Sequence, residues 1–408
     1  VTDLGRFALA LILLISTTSS PGAEPANRLL KGSDGKAFFP IGLYGFPQGR
    51  TDDAIYQEAR DAGFNFLVGR EAKHGFVRSF DLPSGPPDPD AKSRRCSLLD
   101  LTHNTEQKRQ LLEQLIAQHE ATTGLIIWQG PDEPNDFPFG IRPGPTPAGL
   151  QAGANVLRAS SRHPLWINFG PTGDDLVPSD FSRLRPYLAV PDIVSTDIYP
   201  IGGGAELQQS PFAERGPASV GIFTRNLVSM VSHEGIQRKP VWMVLQAFGW
   251  GDLARRSKPP QAWTGRTPTY EEMRFMSFNA IINGAGGVIY WGLPYLSKDN
   301  DTLWPALKRV AAELNGLLPI LTGDALPADH YVSSSDPAVE SAVRRAGSTY
   351  YVLLANTREL AVETNLAFHG IKVSQLVPLG QDASNRPKAQ EFSLKLNPWQ
   401  TAVLKIQE

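Results

Sequence analysis

Short apolar runs alternate with amphipathic segments along the first three quarters of the chain. The runs are Phe38–Phe46, Phe64–Val68, Ser97–Leu101, Leu125–Gln129, Pro164–Phe169, Pro191–Pro200, Lys239–Trp250 and Gly287–Gly292. Runs this short, dense in apolar residues on both faces, read as buried parallel strands. Between them lie helical patterns with stop and start signals. One opens at Thr51-Asp52-Asp53 and closes at Gly63; others span Asn104–Ala121, Pro147–Ser161, Val220–His233 and Thr269–Gly284. The alternation predicts an α/β fold, and about eight strand–helix units close a (β/α)8 TIM barrel.

Beyond Thr322 the period changes. Tyr331-Val332, Val339–Val343, Tyr350–Ala355, Thr364–Phe368 and Thr401–Ile406 are short, several alternate with period two, and polar or glycine-containing turns separate them. They predict a small C-terminal antiparallel β-sandwich. The expected organisation is a leader over 1–23, a barrel over 24–322 and a sandwich over 323–408. The leader is read from Arg6, the apolar run Phe7–Ile15 and the small residues before Ala23. It has the form of a secretory signal and is short for a membrane span. The expected location is therefore secreted or periplasmic in a bacterium, with no membrane association after cleavage.

Composition narrows the function classes. The 408 residues carry a formal net charge of −2, which provides no basic excess for nucleic acid or an anionic membrane. Cys96 is the single cysteine, so no intrachain disulfide or cysteine zinc cluster can form. It reads as a partly buried bystander. His74, His103 and His163 lack ligand spacing, so no metal site is expected, and no cofactor is required.

The chemistry concentrates where the runs end. The fourth run, Leu125-Ile126-Ile127-Trp128-Gln129-Gly130-Pro131, stops in Asp132-Glu133-Pro134. In a parallel barrel the strand C-termini form the face that carries catalysis. Other run ends supply Tyr44, Asn168, Asp197, Tyr199, Gln246, Tyr290 and Trp291. Trp250 and Trp263 follow in the next loop and are placed to wall a cleft. Carboxylates and amides bind hydroxyls directionally, and aromatic faces stack on pyranose rings, so this rim suits a carbohydrate. Trp128 and Trp166 lie within strands and read as core. Glu271 and Glu272 fall in a first helical turn, where acids complement the dipole.

With these residues in place, the chain resembles glycoside hydrolases of the large (β/α)8 clan that carries its acid/base Glu after strand four and its nucleophile Glu after strand seven. Asp132-Glu133-Pro134 is similar to the clan's Asn-Glu-Pro. Tyr290-Trp291 is similar to its strand-eight sugar-stacking aromatic, and the helix-to-strand passage Pro268–Trp291 and trailing sandwich fit as well. The resemblance implies a glycosidase acting on a poly- or oligosaccharide, with Glu133 as proton donor.

Two departures matter. Asp132 replaces the clan's Asn, and a neighbouring carboxylate would help keep Glu133 protonated. Gln246 stands where the nucleophile is expected, and an amide cannot form a glycosyl ester. Four explanations stay open: Asp197 as base in an inverting mechanism, with a gap of roughly 6.5–9.5 Å to Glu133; a substrate N-acetyl group as nucleophile, oriented by Asp132 or Gln246; a carbohydrate-binding barrel without turnover; and an engineered Glu-to-Gln variant. A lyase with Tyr199 as base is a further idea, but it needs uronic acids and a positive site.

Overall fold

The computed structural model describes residues 29–32, 34–47, 50–69, 74–86, 97–120, 126–135, 144–170, 184–203, 216–232, 239–256, 264–297, 302–324, 326–379 and 392–408. The segment 1–23, expected from its pattern to be a leader, Cys96 and Trp263 lie outside the described residues. Eight parallel strands close into a barrel. They are β1 Ile41–Leu43, β2 Phe66–Leu67, β3 Val77–Asp81, β4 Ile126–Gln129, β5 Leu165–Phe169, β6 Ile193–Ile198, β7 Val241–Gln246 and β8 Val288–Trp291. Helices α1 Asp53–Asp61, α2 Thr105–Glu120, α3 Pro147–Ser160, α4 Ser219–Ser232, α5 Trp250–Arg256, α6 Tyr270–Ile282 and α7 Leu303–Gly316 belong to the connections and follow β8. Thr269 and Glu272 form a reciprocal capping box at the start of α6, which gives Glu272 the structural role its position suggested.

Two strands differ from the expectation. Pro40 interrupts the first run, so Ala37–Phe38 pairs instead with Leu30–Lys31 in a short antiparallel hairpin. Leu30 and Phe38 pack on the apolar residues of the barrel interior, at the end opposite the strand C-termini. The third strand is Val77–Asp81 rather than Ser97–Leu101. The latter segment forms turns, with an isolated bridge from Ser97 to Ser84. Its leucines Leu98, Leu99 and Leu101 are buried as expected of an apolar run, but as a packed loop.

Period-two alternation divides every barrel strand. Phe66, Ile127, Trp166, Ile193, Trp242, Val244 and Ile289 face inward and form one apolar cluster. Leu43, Leu67, Trp128, Ile167, Val194, Met243 and Val288 face the helices. Phe66, Trp166 and Trp242 meet with ring centroids 5.5–6.0 Å apart, a solid aromatic layer across the barrel. The lumen is therefore a packed floor, and polar chemistry is confined to the layer above it. Gly42 faces inward too: a Cβ there would lie 2.8 Å from the Phe66 ring and 3.0 Å from Ile289.

Among the described residues, seven strands follow the barrel: β9 Tyr331–Ser334, β10 Val339–Ala346, β11 Thr349–Asn356, β12 Val362–His369, β13 Gln375–Pro378, β14 Phe392–Leu396 and β15 Thr401–Gln407. They form one sheet in the order β9-β12-β14 and another in the order β10-β11-β15-β13. All pairings are antiparallel. Helix α6 docks the second sheet. Arg274 holds Glu313 at 2.6 and 2.7 Å and donates to the Thr401 carbonyl at 3.2 Å. Arg344, only 3% exposed, donates to the Ile281 carbonyl at 3.0 Å. Glu340 accepts from the Asn279 and Asn283 amides, each at 2.6 Å. These contacts, most of them partly buried, tie the second sheet to α6.

Candidate active site

Above the aromatic floor, a hydrogen-bond chain rises from the lumen to the rim. The Trp166 indole donates to Ser195 Oγ at 2.7 Å, and Ser195 donates to Asn168 Oδ1 at 2.8 Å. Asn168 is oriented by this chain so that its amide nitrogen points at two acids. It donates to Asp197 Oδ1 at 3.0 Å and to Asp132 Oδ1 at 3.1 Å. Alternation explains the placement: Trp166 and Asn168 are two apart on β5, and Ser195 and Asp197 two apart on β6, so all four face inward.

Asp132 and Glu133 are adjacent, and in extended chain their side chains would diverge. Glu133 instead takes a left-handed backbone, with φ of 48°. For a residue with a Cβ this costs on the order of 1–2 kcal/mol. The turn is held by the Glu133 amide, which donates to the Asn168 carbonyl at 2.9 Å. Asn135 clamps the same loop, exchanging two 3.0 Å hydrogen bonds with the backbone of Gly170. As a result both acids reach one cluster: Asp132 meets Asn168, and the Glu133 side chain hydrogen-bonds Asp197.

A carboxyl–carboxyl hydrogen bond needs a proton. Asp197 is 2% exposed. Burial, and next the Asp132 charge, push its pKa up to about 7, against the opposing hydrogen bonds from Asn168 and Glu133. Asp197 therefore keeps its proton up to near neutrality.

A fourth acid joins them. Asp81 ends β3, opposite Gln129 of β4, three residues before Asp132. Val77, Ser79 and Asp81 share the inward face, and burial followed by the Asp132 charge raises the Asp81 pKa. Tyr44 and Tyr199 complete the cluster. Burial, reinforced by Asp132, Asp197 and Glu133, lifts both phenols well above their ordinary pKa. The Tyr44 hydroxyl is buried and has no hydrogen-bond partner among the described residues. Trp291 forms the far wall, stacked on Tyr199 at 5.2 Å and 20°.

Three expected binding residues have other places. Gln246 is fully buried, and its amide is committed to backbone. It donates to the Ile201 carbonyl at 2.8 Å and the Phe248 carbonyl at 3.0 Å, and accepts from the Ile201 amide at 2.8 Å. No N–H remains for a sugar, so Gln246 braces the loop after β6 rather than binding. Tyr290 lies next to Trp291 and so faces the opposite way. Its hydroxyl meets Ser277 of α6 at 2.7 Å, under the helical layer. Trp250 is 5% exposed and packs edge-on behind Phe248 and Tyr199, supporting the wall without presenting a face. Asp81 and Asn135 are residues that sequence reading missed. Among the described residues, no group of three or more His, Cys, Asp or Glu is arranged to hold a metal ion.

No family model matches the sequence, and no curated protein matches it. Solved structures do match in fold. A glycoside hydrolase family 5 protein from Bacteroides vulgatus aligns over 95% of this chain and 93% of its own, at 14% identity and a TM-score of 0.56. Another glycoside hydrolase aligns over 95% and 97%, at 14% identity and a TM-score of 0.56. A putative alpha-galactosidase/melibiase from Bacteroides fragilis aligns over 91% and 80%, at 10% identity and a TM-score of 0.50. The protein thus has the (β/α)8 barrel fold of glycoside hydrolases of the clan it resembles, with a C-terminal antiparallel β-sandwich. At these identities the likeness is one of fold.

Proposed function

We propose that the protein is a secreted glycosidase that hydrolyses an O-glycosidic bond of a poly- or oligosaccharide, with Glu133 as proton donor. The observation that carries this reading is the contact of the partly exposed Glu133 with the buried Asp197 at the C-terminal mouth of an eight-stranded parallel barrel. Glu133 is partly exposed, whereas Asp197 is buried. The outer member presents the proton to the leaving oxygen, and the inner one holds it in place. As the C–O bond breaks, Glu133 gives its proton to the departing hydroxyl. Asp132 and Asp197 stabilise the positive charge developing on the sugar ring. A water then adds to the anomeric carbon and its proton returns to the carboxyl pair. No protein nucleophile is needed, which accords with the bracing role of Gln246.

The binding-only alternative drew its support from the missing strand-seven carboxylate, and that residue has a structural explanation. The leader 1–23 and the division at 322/323 belong to the same proposal, resting on the sequence pattern. Reducing-end release from a panel of polysaccharides and aryl glycosides tests it. Turnover by the wild type, lost in Glu133→Gln, is the expected result; binding of a glycan with no turnover by the wild type would remove the hydrolase reading.

A further inference from the structure

We propose that Gln129, anchored by Ser79 and standing beside Asp81, is a glycan-binding residue of the barrel mouth. Its amide donates to one ring hydroxyl while the Asp81 carboxylate accepts from the neighbouring one. The inference rests on the carbohydrate part of the glycosidase reading and names the feature that is read, two hydroxyls on adjacent carbons of a neutral sugar. Gln129 ends β4 and is paired in register with Asp81 of β3 on one side and Trp166 of β5 on the other. It follows Ile127 by two residues, so its side chain enters the barrel with that inward residue. At 7% exposure it stands at the edge of the aromatic floor.

A chain of hydrogen bonds fixes the direction of the amide. The Gly69 amide donates to Ser79 Oγ at 2.9 Å, and Ser79 donates to Gln129 Oε1 at 2.9 Å. A backbone N–H can only donate, so Ser79 accepts from Gly69 and gives its own proton to Gln129. The atom it meets is therefore the carbonyl oxygen, and the planar amide sets Nε2, with its two donors, away from Ser79. Ser79 is 1% exposed and lies two residues before Asp81 on the inward face of β3, so the anchor sits deeper than the acid. Asp81 is exposed, and its charge acts on Tyr44, which puts the carboxylate at the mouth. Neighbouring strands lie about 4.8 Å apart, so a donor and an acceptor at paired positions can meet one sugar ring together. A donor beside an acceptor matches a diol in which one hydroxyl accepts and the other donates. A site built to bond a hydroxyl also rejects the analogue that lacks it.

The test is calorimetric binding of the full chain to cello-, xylo-, manno-, laminari- and maltotetraose, followed by the monodeoxy analogues of the tightest binder. Gln129→Met should weaken binding of the parent glycan about tenfold. One analogue should bind the wild type about tenfold more weakly than the parent, yet bind Gln129→Met as well as the parent does. The analogue deoxygenated at the adjacent carbon should show the same pattern with Asp81→Ala. Ser79→Ala releases the anchor but keeps both donors, so its loss should be smaller, about threefold. Gln110→Ala, at an exposed position of α2, should leave affinity intact. If Gln129→Met fails to fold, Gln129→Glu, which keeps an acceptor for Ser79, carries the same comparison. An equal loss for the parent and every analogue would mark Gln129 as a strand brace and overturn the inference, as would unchanged affinity or no binding of any of these glycans. The two claims separate. Coupled binding without turnover leaves this inference standing and removes the glycosidase reading, and turnover that Gln129→Met leaves unchanged does the reverse.

Discussion

One amide group, Asn168 Nδ2, holds both Asp132 and Asp197, at 3.1 and 3.0 Å. The acid that raises the Asp197 pKa and the donor that lowers it are therefore in contact with each other. Activity that needs Asp197 protonated should fall as pH rises through about 7. Asp132→Asn removes the charge that pushes this pKa up, so the alkaline limb of kcat/KM should move to lower pH. Asn168→Ala removes the opposing hydrogen bond, so the limb should move to higher pH. Profiles that stay in place in both variants would show that Asp197 does not set the limb.

The same shift links to stability. Asp197 has its pKa raised in the folded state relative to an unfolded carboxyl at about 4. The folded state thus binds more protons between those values, and the stability contributed is fully present below the unfolded pKa and lost as pH rises through about 7. Asp197→Asn keeps an acceptor for Asn168 and removes the titration. It should melt roughly 3–8 °C above the wild type at pH 8.5, with the difference closing at pH 4. Thermal unfolding across that range checks both the sign and the window.

Gln246→Glu would place a carboxylate at the end of β7, and it should not supply a nucleophile. The substitution removes both donors to Ile201 and Phe248 and places a charge at a fully buried position. A loss of roughly 2–5 kcal/mol of stability is expected, with no gain in turnover. Denaturant unfolding and trapping of a covalent glycosyl adduct test the two parts separately.

Tyr290 and Trp291 are adjacent and face opposite sides of β8. Tyr290→Phe deletes the hydroxyl contact with Ser277 and should cost about 0.5–1.5 kcal/mol of stability with unchanged kinetics. Trp291→Ala removes the stacking wall beside Tyr199 and should raise KM far more than it alters kcat. A kinetic defect in Tyr290→Phe equal to that of Trp291→Ala would contradict this division.

Much of the barrel was legible because the strands around Trp128, Trp166, Val194, Met243 and Val288 are buried on both faces and so form unbroken apolar runs. The third strand was not. Val77–Asp81 carries Arg78 and Asp81, and its hydropathy is that of a loop, whereas the apolar Ser97–Leu101 is a loop packed in the core. Asp81 was lost along with that strand. Tyr290 could have been excluded from the site by alternation alone, since Ile289 and Trp291 share the inward face. The bracing of Gln246 by Ile201 joins residues 45 apart, and no local pattern encodes it. Asp132, Glu133, Asn168 and Asp197 were all visible at run ends. Their contact depends on the left-handed turn at Glu133, which a sequence of this kind does not signal.

The most direct measurement compares Glu133→Gln with wild type on two glycosides of the same sugar, one with a poor alkoxide leaving group and one with an activated aryl group. A proton donor matters most where the departing oxygen needs the proton. The account predicts a loss of about 10²–10⁴-fold in kcat/KM on the unactivated glycoside and a far smaller loss on the activated one. Equal losses on both, or none on either, would contradict Glu133 as the acid.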